Sequence, residues 1–387
     1  MKRWLYLSIA TVVCFGVSGA FGQESAGWLR FPYRIIHPKL PAPQIDPNTA
    51  ASQAVVGATI PLWGSNIPSG GKSYRYVMVG QNPMIPLTSQ TTTIPTVLIP
   101  LVLTLPGGQV FDPTKTDPIC TPQGSAQSLT QTSPIFQNFD YIVGGVNVGS
   151  TQYVDFFQRA NFWQFTGSGG MNPNYHVLLS LVNFPALRIT VPSGHGTLLS
   201  PAPVCGPVAN VDVNWFDAAV QQGILPALAK YGVGSTTFPI FLLYNTVMYQ
   251  LTPGNCCILG YHNAYKNGSG VMQTYAVADW DASQSFSGSG DISALSHEVG
   301  EWMDDPTTFN PTPPWGNIGQ VSNCQSNLEV GDPLSGTVIP VLMPNNYLYH
   351  PQEMAFFSWF YRQTPSLGVN GWYSSNGTFT TPAAACP

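Results

Sequence analysis

The stretch from residue 291 to 306, Asp-Ile-Ser-Ala-Leu-Ser-His-Glu-Val-Gly-Glu-Trp-Met-Asp-Asp-Pro, constrains the chain more than any other. Ile292, Leu295, Val299, Trp302 and Met303 recur at helical spacing and form one apolar stripe, which predicts a helix buried along one side. His297 and Glu301 are four apart, so they stack one turn above the other on a second face. Glu298 lies about 100° round from His297, on the flank of that face. Asp291 is a suitable N-cap, and Pro306 disfavours helical backbone at Asp305, so the element has a start and a stop.

The pattern His-Glu-x-x-Glu differs by one letter from His-Glu-x-x-His, the helix signature of zinc hydrolases. Composition makes the match informative. The chain has six histidines and only five glutamates, Glu24, Glu298, Glu301, Glu329 and Glu353, so few such pairings arise by chance. The bland alternative is a helix whose polar face simply meets solvent. Charge distribution argues the same way as the motif. Between residues 267 and 363 the sole basic side chain is Arg362, against Asp279, Asp281, Asp291, Glu298, Glu301, Asp304, Asp305, Glu329, Asp332 and Glu353. Asp304 and Asp305 also fall at the helix C-terminus, where the macrodipole disfavours anions by about 0.3–1 kcal/mol. Carboxylates gathered in this way suggest a bound cation as counter-charge. Solvated loop acids, or an Arg folding in from elsewhere, are the competing explanations.

Residues 1–22 read as a secretory signal. Lys2 and Arg3 precede an apolar run, and Ala20-Phe21-Gly22 offers a small-x-small cleavage site. Residues 23–53 form a Pro-rich, extended leader. Residues 54–205 are expected as a β-rich domain, with strands near 74–79, 96–105, 141–148, 176–182 and 187–191 and a short helix near 153–162. After a turn-rich stretch the pattern changes, and 206–387 is expected as a second domain. It opens with an amphipathic helix over 212–231, carrying Trp215, Phe216, Ala219, Ile224, Leu225 and Leu228 on one side. Strands follow over 238–249, 257–265 and 274–280, then the motif helix, and a last helix over 351–361.

Removing the signal leaves Cys120, Cys205, Cys256, Cys257, Cys324 and Cys386, an even set that fits disulfides in an exported chain. The adjacent Cys256 and Cys257 are expected to pair with different partners. Charged residues make up only 8% of the chain, far below the usual quarter, and Gly 38 and Pro 36 exceed average usage. This composition suits a loop-rich extracellular or periplasmic protein. No basic patch or basic helix favours nucleic acid. After the signal, the most apolar run, 94–105, is too short to span a membrane and contains Pro95 and Pro100.

Gly260-Tyr261-His262, Tyr275-Ala276-Val277, Ser296-His297-Glu298-Val299-Gly300-Glu301, Asp305-Pro306 and Glu329-Val330-Gly331-Asp332 occur in order. Together they resemble the phosphate-induced (EXORDIUM-like) secreted proteins and their bacterial relatives, over roughly residues 210–335. The resemblance implies export and a zincin-like fold for that region; with the β-rich segment read before it, the chain is expected to be α+β, a β-rich N-terminal domain followed by a zincin-like domain of backing helix, mixed sheet and metal-site helix. In that frame His297 and Glu301 are metal ligands and Glu298 is the general base. The third ligand is Glu329 as first choice and Asp305 as second, with Asp332 orienting a ligand. His262 either polarises an oxyanion or is a hydrogen-bonded core residue, and His176, His195 and His350 are structural or exposed. An anionic Glu in place of a His weakens Lewis acidity, so zinc is the first expectation and manganese or calcium are alternatives. Two functions stay open. One is a secreted metal-dependent hydrolase acting on protein or peptide. The other is a non-catalytic extracellular or cell-surface binding protein with a retained structural metal site.

Overall fold

The structure, a computed structural model, describes residues 58–200, 205–286 and 288–386. The expected signal and leader lie outside the described residues. The architecture is α+β, with about 37% strand against 19% helix. In chain order, β1 (Leu62–Ser69) and β2 (Lys72–Val79) form a hairpin, followed by the long β3 (Thr91–Thr104) and the short β4 (Val110–Phe111). Helix α1 (Ala126–Gln131), a hairpin of β5 (Phe139–Val143) and β6 (Val146–Thr151), and helix α2 (Tyr153–Asn161) come next. The strand expected over 141–148 is therefore two strands. Gly144 and Gly145, at φ +53° and +84°, turn the chain back between them.

Strands β7 (His176–Asn183) and β8 (Leu187–Thr190) run parallel to β3, and β9 (Gly196–Leu198) and β10 (Ala209–Asp212) lead into a helical stretch. That stretch is α3 (Val213–Ala219), a π-helical turn at Val220–Ile224 and further helical turns to Tyr231, capped by Asp212 accepting from the Asn214 amide. It matches the amphipathic helix expected over 212–231. The run 238–249, expected as one strand, is two: β11 (Phe238–Tyr244) and β12 (Thr246–Tyr249). Asn245, at φ +43°, breaks it, and its side chain holds the Ala282 amide at 2.7 Å. The next run divides likewise into β13 (Cys256–Ile258) and β14 (Gly260–Lys266), before β15 (Met272–Trp280). Each pair thus serves two sheets.

One sheet has the order β14-β15-β11-β3-β4, with β7 and β8 also on β3; the other is β13-β12-β10-β9. The first is curled like half a barrel. Its strands come from both sides of residue 205, so the change of pattern there falls within one sheet rather than between two. Every residue of β11 and β15 is buried, as in sheets covered on both faces. The pleat divides the covering. Phe241, Leu243, Tyr275, Val277 and Tyr261 pack with Phe216, Val220 and Leu228 of the helical stretch. Ile240, Leu242, Ala276, Ala278 and Trp280 pack on the other face with Leu295, Val299 and Trp302. The latter belong to α4 (Ser293–Asp304), the motif helix.

Helix α4 is buried at all twelve positions, so its polar face does not meet solvent. Trp302 stacks on Phe238 at 3.6 Å between ring centroids and donates to Thr274 Oγ1. On its far side Gly300 meets Met354, whose sulfur would lie 2.0 Å from any added Cβ. Asp291 is not the N-cap. The helix starts after Ile292, while Asp291 binds the His350 ring and amide and the Ile292 amide. Helix α5 is only Phe357–Phe360. The residues before it are extended because the Gln352, Glu353 and Ala355 amides bond to Ser296 Oγ, Thr337 O and Val330 O.

Cys120–Cys205 and Cys324–Cys386 are disulfides, and Cys256 and Cys257 bond to each other, contrary to the expectation of different partners. Among the described residues no helix is long and apolar enough to cross a membrane.

Beneath the sheet, burial pushes the Asp217 carboxyl up to about 6, against hydrogen bonds from Tyr275 and Gln221. The folded state therefore holds its proton longer than the unfolded chain does. This contribution to stability is complete below the ordinary Asp value and is lost as pH rises to about 6, a fall of roughly 2–3 kcal/mol. Asp217→Asn should remove that fall, which denaturant unfolding at pH 4 and pH 7 will measure; an unchanged pH profile would refute it.

Candidate metal centre

Helix α4 delivers His297, Glu298, Glu301 and Asp304 into the interior, each 1% exposed or less. Asp304 points away from the other three. Gln158 and Asn161 of α2 donate to its two oxygens, and burial pushes its carboxyl up to about 7. The remaining three meet two other elements, strand β14 and the segment 328–334.

Strand β14 supplies His262, on the sheet face that carries α4. Its Nδ1 lies 3.2 Å from Glu298 Oε2 and 3.8 Å from Glu301 Oε2. The approach is close because residue 260 is glycine: a Cβ there would lie 2.9 Å from Glu298 Cγ and 3.0 Å from the Val277 carbonyl. His262 Nε2 donates to the Asp305 carbonyl at 3.0 Å, since a carbonyl can only accept.

The chain leaves α4 through a tight loop. Asp305 Oδ1 and Oδ2 accept from the Phe309 and Asn310 amides at 3.0 and 2.8 Å. A hairpin follows, β16 (Pro311–Ile318) and β17 (Val321–Asn327), and returns the chain to α4 at Leu328. Glu329 is fully buried and accepts from Asn327 Nδ2. The Gly331 amide donates to Glu301 Oε1 at 3.0 Å. Asp332 brings Oδ1 to 3.6 Å from His297 Nε2, while its oxygens accept from Gln320 and Gln325.

His297 is the most closely fixed residue. Its ring lies on Gly331, where a Cβ would come within 2.4 Å of Nδ1. Nδ1 contacts Gln352 Oε1 at 3.1 Å. Gln352 Nε2 donates to the Gly331 carbonyl at 2.6 Å, which sets the amide and leaves Oε1 as an acceptor. Nδ1 therefore carries a proton donated to Gln352, and Nε2 is the nitrogen that faces the Glu301 and Asp332 carboxylates. Glu301 Oε1 is 3.1 Å from Nε2, an ion-pair distance at which Nε2 makes no hydrogen bond of regular geometry. A buried nitrogen facing carboxylates could hold a metal ion, and the Gln352 contact is the kind of outer-shell support that a ligating histidine uses. Burial of the ring works against its cation, yet the Glu301, Glu298 and Asp332 carboxylates outweigh burial and push its pKa up to about 10. The surroundings thus favour positive charge at Nε2, whether a proton or an ion.

Two groups of three ligand atoms converge, each within 4.8 Å of one another: His297, Glu301 and Asp332, and His262, Glu298 and Glu301. Donor atoms sharing a tetrahedral zinc ion sit about 3.4 Å apart, from bonds near 2.1 Å. The 3.1 and 3.6 Å separations around His297 Nε2 fit that span. The structure thus brings together His297, Glu301, Glu298 and His262. Asp332, expected only to orient, supplies the third converging carboxylate. Neither the Glu329 nor the Asp305 carboxylate falls in either group; Glu329 accepts from Asn327 Nδ2 and Asp305 from the 309–310 amides. Asp305 reaches the centre through its backbone carbonyl instead. Gln352 carries no charge and no motif, and nothing in the sequence marks it.

The other histidines among the described residues have their own acids. His176 pairs with Asp155 at 2.7 Å, His195 with Asp212 at 3.0 Å and His350 with Asp291 at 2.7 Å. Comparisons with protein-family models, curated proteins and solved structures find no match, so the resemblance to EXORDIUM-like proteins stands on the quoted motifs alone.

Gln352→Leu removes both the acceptor for His297 Nδ1–H and the donor to Gly331. It should weaken binding of a divalent cation about 10–100-fold, as loss of outer-shell partners does. Equilibrium titration with zinc or manganese checks this; unchanged affinity would show that the Nδ1 contact does not prepare the ligand.

Proposed function

We propose that the chain is an exported metal-dependent hydrolase, and that a protein or peptide is its substrate. The orphaned, buried His297 Nε2, set between two carboxylates by Gln352 and Gly331, supports this reading most. His297, Glu301 and Asp332 would hold a divalent ion, zinc first, with manganese or calcium as alternatives. One nitrogen and two carboxylates neutralise a divalent charge, which suits harder ions as well as zinc. Such an ion supplies Lewis acidity, polarising a carbonyl and easing ionisation of a water. Glu298, one position past the ligand His297, takes the proton from that water. Its neighbour His262 is held by the Asp305 carbonyl, so Nδ1 is the nitrogen that meets the Glu298 carboxylate. The helix–sheet–helix layering, with α4 against β14 and β15, agrees with the zincin-like frame that the motif suggests.

The burial of this centre favours a second reading. Asp332 is 5% exposed and the others less, as suits a structural ion in a non-catalytic extracellular binding protein. Substitution separates the two. Glu301→Ala should lose the ion and, with it, stability, because an ion bound only by the fold adds to folding free energy. Glu298→Gln should keep the ion at His297 and abolish hydrolysis, a loss of about 10²-fold or more. Metal analysis and an assay on unfolded protein substrate supply the readouts. Ion retention by Glu301→Ala would overturn the assignment of Glu301 as a ligand, and a metal-loaded wild type inert on every protein substrate would favour the binding protein.

A further inference from the structure

Glu301 belongs to both groups, and it divides its two oxygens between them. Oε1 lies 3.1 Å from His297 Nε2, and Oε2 lies 3.8 Å from His262 Nδ1. The two histidines are prepared in the same way. Each has its outer nitrogen committed to a fixed acceptor, Gln352 Oε1 for His297 and the Asp305 carbonyl for His262. His262 thus turns Nδ1 towards Glu298 Oε2 at 3.2 Å and Glu301 Oε2 at 3.8 Å, and these three ligand atoms lie within 4.8 Å of one another. Two buried carboxylates converging on one ring nitrogen call for positive charge among them, which a divalent cation supplies. The separations match those of donors on one ion, about 3.4 Å for short bonds and slightly more for larger cations.

We propose that the centre takes two divalent cations, with Glu301 as the bridging carboxylate. The first is held by His297, Asp332 and Glu301, and the second by His262, Glu298 and Glu301. Each ion then has one imidazole nitrogen and two carboxylate oxygens, a donor set open to zinc and manganese alike. Paired ions of this kind clamp both the attacking and the leaving oxygen of a hydrolysed bond. This inference rests on the metal reading above and adds to Glu298 a second duty, as ligand through Oε2. It also gives a reason for Gly260: only glycine lets β14 approach Glu298 closely enough for His262 to share an ion with it.

The test uses the full chain, stripped of metal and titrated with manganese. Elemental analysis should find two ions per chain, and electron paramagnetic resonance should show exchange coupling between them. His262→Gln should retain one ion and lose the coupling, His297→Gln should likewise retain one, and Glu301→Ala should bind neither. A wild type that saturates at one uncoupled ion overturns the two-ion proposal while leaving the single-ion hydrolase standing, as does a His262→Gln variant that keeps the wild-type count. A wild type that binds no ion overturns both. Should His262→Gln fail to fold by circular dichroism, the wild-type count and coupling still decide.

Discussion

Putting four ionisable side chains on one fully buried helix is the demand that shapes the rest of the molecule. Each buried ion costs several kcal/mol unless it is paired and hydrogen-bonded. The surroundings of α4 meet that cost group by group. Asp304 is held by two amide side chains of α2, and Glu301 by the Gly331 amide. Glu298 is met by His262 from the edge of the sheet, and His297 by Gln352 from the far side. The partners come from four separate parts of the chain, before and after α4. The helix is thus less a surface element docked on a sheet than the axis on which those parts assemble.

Close approach makes this assembly feasible, and three glycines permit it. Gly260 admits Glu298 against β14, Gly300 admits Met354 against the helix, and Gly331 admits the His297 ring against its backbone. Small residues act alike on the sheet, where Ala276 and Ala278 face α4 while Tyr275 and Val277 face the opposite helical stretch. Chain breaks are set with equal economy. Asn245 at positive φ lets one apolar run serve two sheets, and the loop at 305–310 is tied by a single carboxylate.

The legible part of this design is what periodicity and rare residue types reveal. The apolar stripe of 292–303 located α4, and alternation or continuous apolar runs located β2, β3, β7, β8 and β15. Scarcity of glutamate made His297, Glu298 and Glu301 stand out, and the structure brings them together with His262. The illegible part depends on long-range contact. Local spacing favoured Asp305, on the same helix line as His297, but the helix ends at Asp304 and the Asp305 carboxylate turns to the loop amides. Glu329 and Asp332 lie three apart, and spacing alone does not say that the Asp332 carboxylate comes within 3.6 Å of His297 Nε2. Gln352 is invisible because an amide leaves no charge signature. Asn245 and the Gly144-Gly145 turn interrupt apolar runs that read as continuous, and adjacent cysteines give no sign of their own pairing.

The placement of the two histidines adds a last step. Both rings are anchored by neutral acceptors, a side-chain amide and a backbone carbonyl, rather than by carboxylates. His176, His195 and His350 are each anchored at Nδ1 by an aspartate. An aspartate at the outer nitrogen stabilises a protonated ring, whereas a neutral acceptor fixes the tautomer without adding charge behind it. At the centre, the Glu298, Glu301 and Asp332 carboxylates lie on the inner side of the rings. The described residues thus include two kinds of histidine, told apart by what stands behind the ring. Such polarity suits a site that gathers cations between its side chains, and it would be poorly chosen for rings whose task was only to pair with a neighbouring acid.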